Sequence, residues 1–230
     1  MTRTVDPAAG RIAALGAALV LLALAAAPAA TSAGEVRVEL QSRDGTPVPG
    51  VAVVLEGPAG APARSSGRHS ARMDQQDRRF VPQVLVVDTG TSVEFPNSDH
   101  VSHQVYSFSP ARPFQLPLYK GAPHPPVQFP APGLVVLGCN IHDEMVGYIL
   151  VTDSPFHATT DAGGAARLRE VPPGAYRVTV WGPLIHDGGG TLTTTLAVAG
   201  DGPQTLSLRL KDPLRRSPSP RPGRVDWDGY

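Results

Sequence analysis

An all-β chain folded as two small sandwiches is predicted by three observations. Gly 24 and Pro 25 are high for 230 residues, and they fall between short runs rich in Val, Leu and Thr, the signature of strands broken by turns. Segments such as Val36-Arg37-Val38-Glu39-Leu40 alternate apolar and polar side chains, as a half-buried strand does. No segment beyond the N-terminal apolar run holds a helical period. About 200 residues suffice for one large or two small β domains.

The N-terminus reads as a secretory leader over residues 1–33. Arg3 and Arg11 supply a basic start, residues 12–27 an apolar run, and Thr31-Ser32-Ala33 small residues at a cleavage site. The rival reading is a retained anchor. The run has about 16 residues, short of the ~20 a spanning helix needs, and no basic cluster follows it. Cleavage is therefore expected, with a periplasmic or secreted destination and no stable membrane anchor afterwards.

The elements follow in order. Val36 to Leu40 is a strand, Arg43-Asp44-Gly45-Thr46-Pro47 a turn, and Val51 to Leu55 the return strand. Residues 57–72 read as a loop. Phe80 to Val87 reads as one strand, Asp88-Thr89-Gly90-Thr91 as a turn, and Ser92-Val93-Glu94-Phe95 as the next strand. His103 to Phe108 is extended. Residues 109–133 carry many prolines and read as a long loop with one short strand. Gly133 to Gly138 leads into Cys139, and Val146 to Val151 forms the strand after Met145. Beyond it come a turn at Thr160-Asp161-Ala162-Gly163-Gly164, strands at Ala166-Arg167-Leu168 and Tyr176 to Trp181, then Thr191 to Val198 and Thr205 to Leu210. The proline-rich stretch 212–230 is expected to be a disordered tail.

Charge excludes some partners. Lys and Arg total 20 and Asp and Glu total 20, and losing Arg3, Arg11 and Asp6 with the leader leaves the chain near neutral. No basic stripe points to nucleic acid.

The chemistry concentrates around one residue. Cys139 is the only cysteine, so an exported chain has no internal disulfide to give it. It opens Cys139-Asn140-Ile141-His142-Asp143-Glu144-Met145, a Cys-x2-His-x2-Met run, and His103 stands upstream on a strand-like segment. One thiolate, two imidazoles and one thioether are the donors of a blue-copper electron-transfer site. In that reading Cys139 and His142 are ligands on one short loop, with His142 at its tip, His103 is a ligand from another strand, and Met145 is the weak axial donor. Taken singly, each residue has a plainer reading: a buried thiol, an ordinary histidine, a core methionine. His100 competes with His103, and alternation along a strand would put the two on opposite faces. His124, His157 and His186 lie in Pro- or Gly-containing stretches and read as solvated.

These residues resemble a family. Phe95-Pro96-Asn97, His103-Gln104-Val105 and Cys139 through Ile149 are similar to the cupredoxins, with the six-residue step from Asn97 to His103 and a short amicyanin-like ligand loop. Tyr106-Ser107-Phe108-Ser109, Tyr119-Lys120-Gly121 and Leu137-Gly138-Cys139 resemble exported plastocyanin-like proteins of the methylamine utilisation type. The resemblance covers residues 69–152 and implies a Greek-key β-sandwich binding one type 1 copper. Two positions depart from the pattern. Ile141 replaces the proline common before the loop histidine, and Gln104 replaces the asparagine common after the first, a position from which it can clamp the site by hydrogen bonding. Asp161 to Trp181, with its Pro172-Pro173-Gly174-Ala175-Tyr176 turn, resembles carboxypeptidase regulatory-like domains, small transthyretin-like sandwiches. The opening such domains carry appears upstream, as Asp44-Gly45-Thr46-Pro47 before Val51 to Leu55. Residues 34–58 with 153–211 are thus expected to form one discontinuous sandwich, with the copper domain inserted. The alternative is that Val36 to Leu55 starts the cupredoxin sheet; insertion is favoured because Ala71-Arg72-Met73-Asp74 can supply that sheet's own first strand.

The functions implied are single-electron transfer between redox partner proteins, copper carriage or sensing, or a glycan- or protein-binding sandwich with a silent thiol. An enzyme is not expected. Copper oxidases need further centres built from several histidines, and no orienting acid or oxyanion motif accompanies Cys139 and His142 as a hydrolytic pair. Structural zinc rarely accepts methionine, which leaves it three good ligands here.

Overall fold

The computed structural model describes residues 1–2, 33–57, 69–121, 124–200 and 202–215. The apolar run of the leader, and the tail beyond 215, lie outside the described residues. Among the described residues, seventeen strands carry the fold, with one 3-10 turn at Asp187–Gly190. Two open the chain, β1 (Gly34–Gln41) and β2 (Ala52–Glu56). Ten follow: β3 (Ser70–Arg72), β4 (Asp74–Gln76), β5 (Arg79–Val81), β6 (Val84–Asp88), β7 (Ser92–Glu94), β8 (His103–Ser107), β9 (Phe114–Tyr119), β10 (Val127–Gln128), β11 (Gly133–Cys139) and β12 (His142–Thr152). The last five are β13 (Phe156–Thr159), β14 (Ala165–Val171), β15 (Gly174–Trp181), β16 (Thr191–Val198) and β17 (Gln204–Arg209).

Strands from both ends of the chain share sheets. One sheet runs β14-β1-β17 and another β13-β2-β15-β16. Alternation sets what they bury. Val36, Val38 and Leu40 of β1 are fully buried, while Arg37 and Glu39 point the other way and pair at 2.7 Å. The inner faces meet in one apolar core that includes Val53, Leu55, Tyr176, Val178 and Val180. Gly164 in the turn before β14 has φ +73°, and a Cβ there would lie 2.6 Å from the Leu40 carbonyl oxygen, so only glycine fits.

The intervening strands build a second core. A five-stranded sheet, β6-β12-β11-β8-β9, faces a three-stranded sheet, β10-β7-β3, and the β4-β5 hairpin. Phe80, Val93, Phe95, Phe129, Val135, Leu137 and Ile149 fill the space between.

Several expectations change. The strand expected over Phe80 to Val87 breaks at Pro82-Gln83 into β5 and β6, which lie in different sheets, because proline supplies no ladder N–H. The stretch 109–133 is more than a loop with one strand. It holds β9 and β10, and β9 keeps its pairing with β8 despite Pro117, as an edge strand can. The tail is not free from its start. Asp212 N–H donates to Asp187 at 3.0 Å and Arg215 N–H to the Leu184 carbonyl at 2.7 Å. Among the described residues no helix is long and apolar enough to cross a membrane.

Candidate metal centre

Three adjacent strands deliver the site. In the order β12-β11-β8, His142 begins β12, Cys139 ends β11 and His103 begins β8, so the donors lie at one end of the sheet. The link from β11 to β12 is only Asn140-Ile141. His142 therefore stands on a strand opposite Cys139 and not at a loop tip. The partner of Gly138 is Val146, whereas that of the next residue, Cys139, is His142. Asp143, Glu144 and Met145 are the extra residues of this bulge. They divide by polarity: the two acids are exposed and Met145 is 1% exposed.

The donor atoms converge. His103 Nδ1 lies 3.8 Å from Cys139 Sγ, His142 Nδ1 lies 3.7 Å from the same sulfur, and the two nitrogens are 3.1 Å apart. His103 is fully buried, Cys139 nearly so, and His142 half-buried. The structure thus brings His103, Cys139 and His142 together, their donor atoms all within 4.8 Å of one another. Met145 belongs to the same core and lines the same cavity, of about 430 Å³, as Cys139 and Asn140. His100 does not join them; its side chain is 79% exposed.

The surroundings favour the thiolate of Cys139, the form in which it binds a metal. Burial pushes the Cys139 thiol up, but the His103 hydrogen bond, the backbone N–H groups of Gln104 and Ile141 and the charge of His103 outweigh it and bring it below the ordinary thiol value. Gln104 thus acts on the sulfur through its backbone. Burial alone would disfavour a charged His103, yet bonds to Cys139 and Asp99 raise its basicity overall. A triangle of 3.1, 3.7 and 3.8 Å is the size that bonds of about 2.0–2.1 Å from nitrogen and about 2.3 Å from sulfur subtend at roughly 100–120°. Two imidazoles and one thiolate of this span fit a soft, late first-row ion.

Sequence reasoning did not find Asp99. Its carboxylate, 1% exposed, accepts from His103 Nε2 at 2.9 Å. The same Oδ2 accepts from Arg78 N–H at 2.8 Å, and Oδ1 accepts from His100 N–H at 2.7 Å and meets His100 Nδ1 at 2.8 Å. Burial would raise its pKa. The Arg78 N–H, His103 and His100 N–H bonds and the charge of His103 hold it far below the carboxylate range. Asn97 shapes the loop that carries Asp99. Its side chain accepts from Asp99 N–H at 3.0 Å and donates to the carbonyls of Val101 and Tyr119, both at 2.9 Å.

Two histidines expected to be solvated are not. His157 lies on β13 and its Nε2 meets Asp88 at 2.9 Å. His124 packs edge-on against Tyr119, ring centroids 4.7 Å apart. His186 is 63% exposed, as expected.

No family model and no curated protein matches the sequence. Among solved structures, a purple cupredoxin from Nitrosopumilus maritimus aligns at 22% identity over 36% of this chain and 99% of its own, with a TM-score of 0.33. An amicyanin variant in its reduced Cu(I) form aligns at 17% identity over 44% of this chain and 98% of its own, TM-score 0.34. A copper-containing nitrite reductase from Thermus scotoductus aligns at 28% identity over 42% of this chain but 25% of its own, TM-score 0.34. Each of these matches spans less than half of this chain.

Proposed function

We propose that the protein is an exported carrier of single electrons that holds one type 1 copper between His103, Cys139, His142 and Met145. The observation that carries this reading is the buried triangle of Nδ1, Nδ1 and Sγ. A copper ion bound there supplies a one-electron couple between Cu(I) and Cu(II). The chain supplies the rest. Cys139 would be the thiolate donor, His103 and His142 the imidazole donors, and Met145 a weak thioether donor. Because the donors sit on three hydrogen-bonded strands, their spacing changes little when the charge changes. His142 is the most exposed of the three donors in the triangle, so electrons pass to and from redox partner proteins on that side.

The same reading is not enzymatic and involves no nucleic acid. It places the protein in the periplasm or outside the cell, without an anchor once residues 1–33 are removed. Strands β1 and β2 with those after Thr152 are read as a carboxypeptidase regulatory-like sandwich into which the copper domain is inserted. The supporting fact is that β1 pairs with β14 and β17, and β2 with β13 and β15.

The test is spectroscopic. Purified protein is expected to take up one Cu(II) and gain an intense thiolate-to-copper band. The Cys139→Ser variant is expected to stay colourless, and a coloured variant would refute the assignment. Met145→Leu should keep the band and shift the potential. Fast electron self-exchange supports transfer; slow exchange with ready metal loss supports carriage instead.

A further inference from the structure

We infer that Asp99 is a positioning residue for the metal centre: its buried carboxylate fixes His103 with Nδ1 turned to the metal and biases the site towards Cu(II). This deepens the copper reading above and rests on it. An imidazole can present either nitrogen. At His103 the Nε2 side is taken by Asp99 Oδ2 at 2.9 Å, so the proton resides there and the Nδ1 lone pair faces Cys139 Sγ. A ligating histidine whose other nitrogen donates to a carboxylate is held in orientation and is a stronger donor.

The carboxylate is built into the chain rather than incidental to it. It is 1% exposed, and each oxygen has two partners. The Arg78 N–H that reaches Oδ2 comes from the turn between β4 and β5. There Asp77 and Arg78 adopt φ of 50° and 56°, positive at both central residues as a two-residue hairpin turn favours. That turn aims the Arg78 N–H at Asp99.

The electrostatic consequence has one sign. A thiolate-bound Cu(II) site carries one more positive charge than the Cu(I) site. A fixed anion next to a ligand ring stabilises the more positive state, so Asp99 lowers the reduction potential. Removing such a carboxylate partner typically costs 10–100-fold in metal affinity. If Cu(II) loses about tenfold more affinity than Cu(I), the potential rises by about 59 mV.

The experiment compares copper-loaded wild type with Asp99→Asn, which keeps an oxygen acceptor but loses the charge. The expected result is a retained charge-transfer band, weaker Cu(II) binding and a raised potential. A coloured Asp99→Asn protein with lowered Tm and unchanged potential overturns the inference, since a residue that only caps the loop would give that result. Should the variant not fold, nitrogen-15 NMR of the Cu(I)-loaded wild type decides. A slowly exchanging proton on His103 Nε2, with Nδ1 bare, supports the inference, and a bare Nε2 overturns it. Wild type without a thiolate-to-copper band removes the copper reading, and this inference with it; an unchanged potential in coloured Asp99→Asn removes this inference alone.

Discussion

Side chains outside the proposed ligand set hold the loop before His103 in place. Asp74, between β3 and β5, is the clearest case. It accepts from Ser98 Oγ at 2.8 Å, Gln75 N–H at 2.8 Å, Arg72 at 3.0 Å and Gln76 at 3.0 Å. It thereby ties the β4 edge to the loop bearing Asn97 and Asp99. Burial raises its pKa, but the bonds from Ser98, Arg72, Gln76 and Gln75 N–H dominate and bring it down to about 2. A carboxyl with a folded pKa below its unfolded value of about 3.9 stabilises the fold above that value. Its contribution is lost as pH falls through about 4 and then about 2. Asp74→Asn is therefore expected to cost about 1–3 kcal/mol at neutral pH, with the gap to wild type closing in urea titrations taken down to pH 2. A gap that stays constant with pH would show that the charge of Asp74 is not what matters. Residues of this kind were illegible in the sequence for a plain reason. Cys139, His142 and Met145 announce themselves by donor chemistry at short spacing, and His103 by its step from Asn97. Asp74 and Asp99 are ordinary carboxylates whose roles depend on contacts across the chain or within an irregular loop, where no period points to them.

At the scale of elements, close approach of β5 to β12 shapes the sheet just beyond the ligands. Gly147, two residues after Met145, has the Phe80 ring over it; a Cβ there would lie 2.8 Å from Phe80 Cβ, Cγ and Cδ2. Phe80 is 1% exposed, and the close atoms include those nearest its backbone, so it has little freedom to yield. Gly147→Ala is expected to force β5 off β12 and destabilise by about 1–3 kcal/mol. Phe80→Ala added to Gly147→Ala takes away two of the three close atoms, Cγ and Cδ2, so the pair should lose less than the sum of the two single losses. Additive losses in chemical unfolding would rule out the clash as the cause. The alternating strands β1 and β15 are visible in the sequence because each buries every second residue. The β5/β6 break, β9 and the early start of β12 are not. The break depends on one proline changing sheets, β9 is a proline-bearing edge strand, and His142 looks like loop until the bulge at Asp143, Glu144 and Met145 is seen to continue the ladder.

For the whole molecule, the question is whether the two cores melt as one. Their contacts are polar and aromatic. Asp88 at the end of β6 takes His157 Nε2 of β13 on Oδ1 at 2.9 Å, while its Oδ2 meets His69 Nδ1 of its own sandwich at 2.6 Å. The Tyr148 and Trp181 rings, one from each sandwich, meet at 5.2 Å and 63°. Ser154, between β12 and β13, donates to the Leu55 carbonyl. Two chain crossings, from β2 to β3 and from β12 to β13, reinforce these contacts, since unfolding either sandwich releases both ends of the other's strands. One calorimetric transition is therefore expected for wild type. Copper at about 100 times its dissociation constant adds about 2.7 kcal/mol, which for a cooperative unit of 150–250 residues raises Tm by roughly 5–10 °C. Asp88→Ala combined with Tyr148→Ala removes the Asp88–His157 and Tyr148–Trp181 contacts, leaving the Ser154 bond and the two chain crossings to link the sandwiches. Two transitions should then appear. Copper should move only the one belonging to the sandwich with Cys139, and by roughly 10–20 °C, because the same free energy acts on a unit of half the size. Wild type that already melts in two steps, with copper shifting one of them, would show that the junction carries no cooperativity and that the two sandwiches unfold independently.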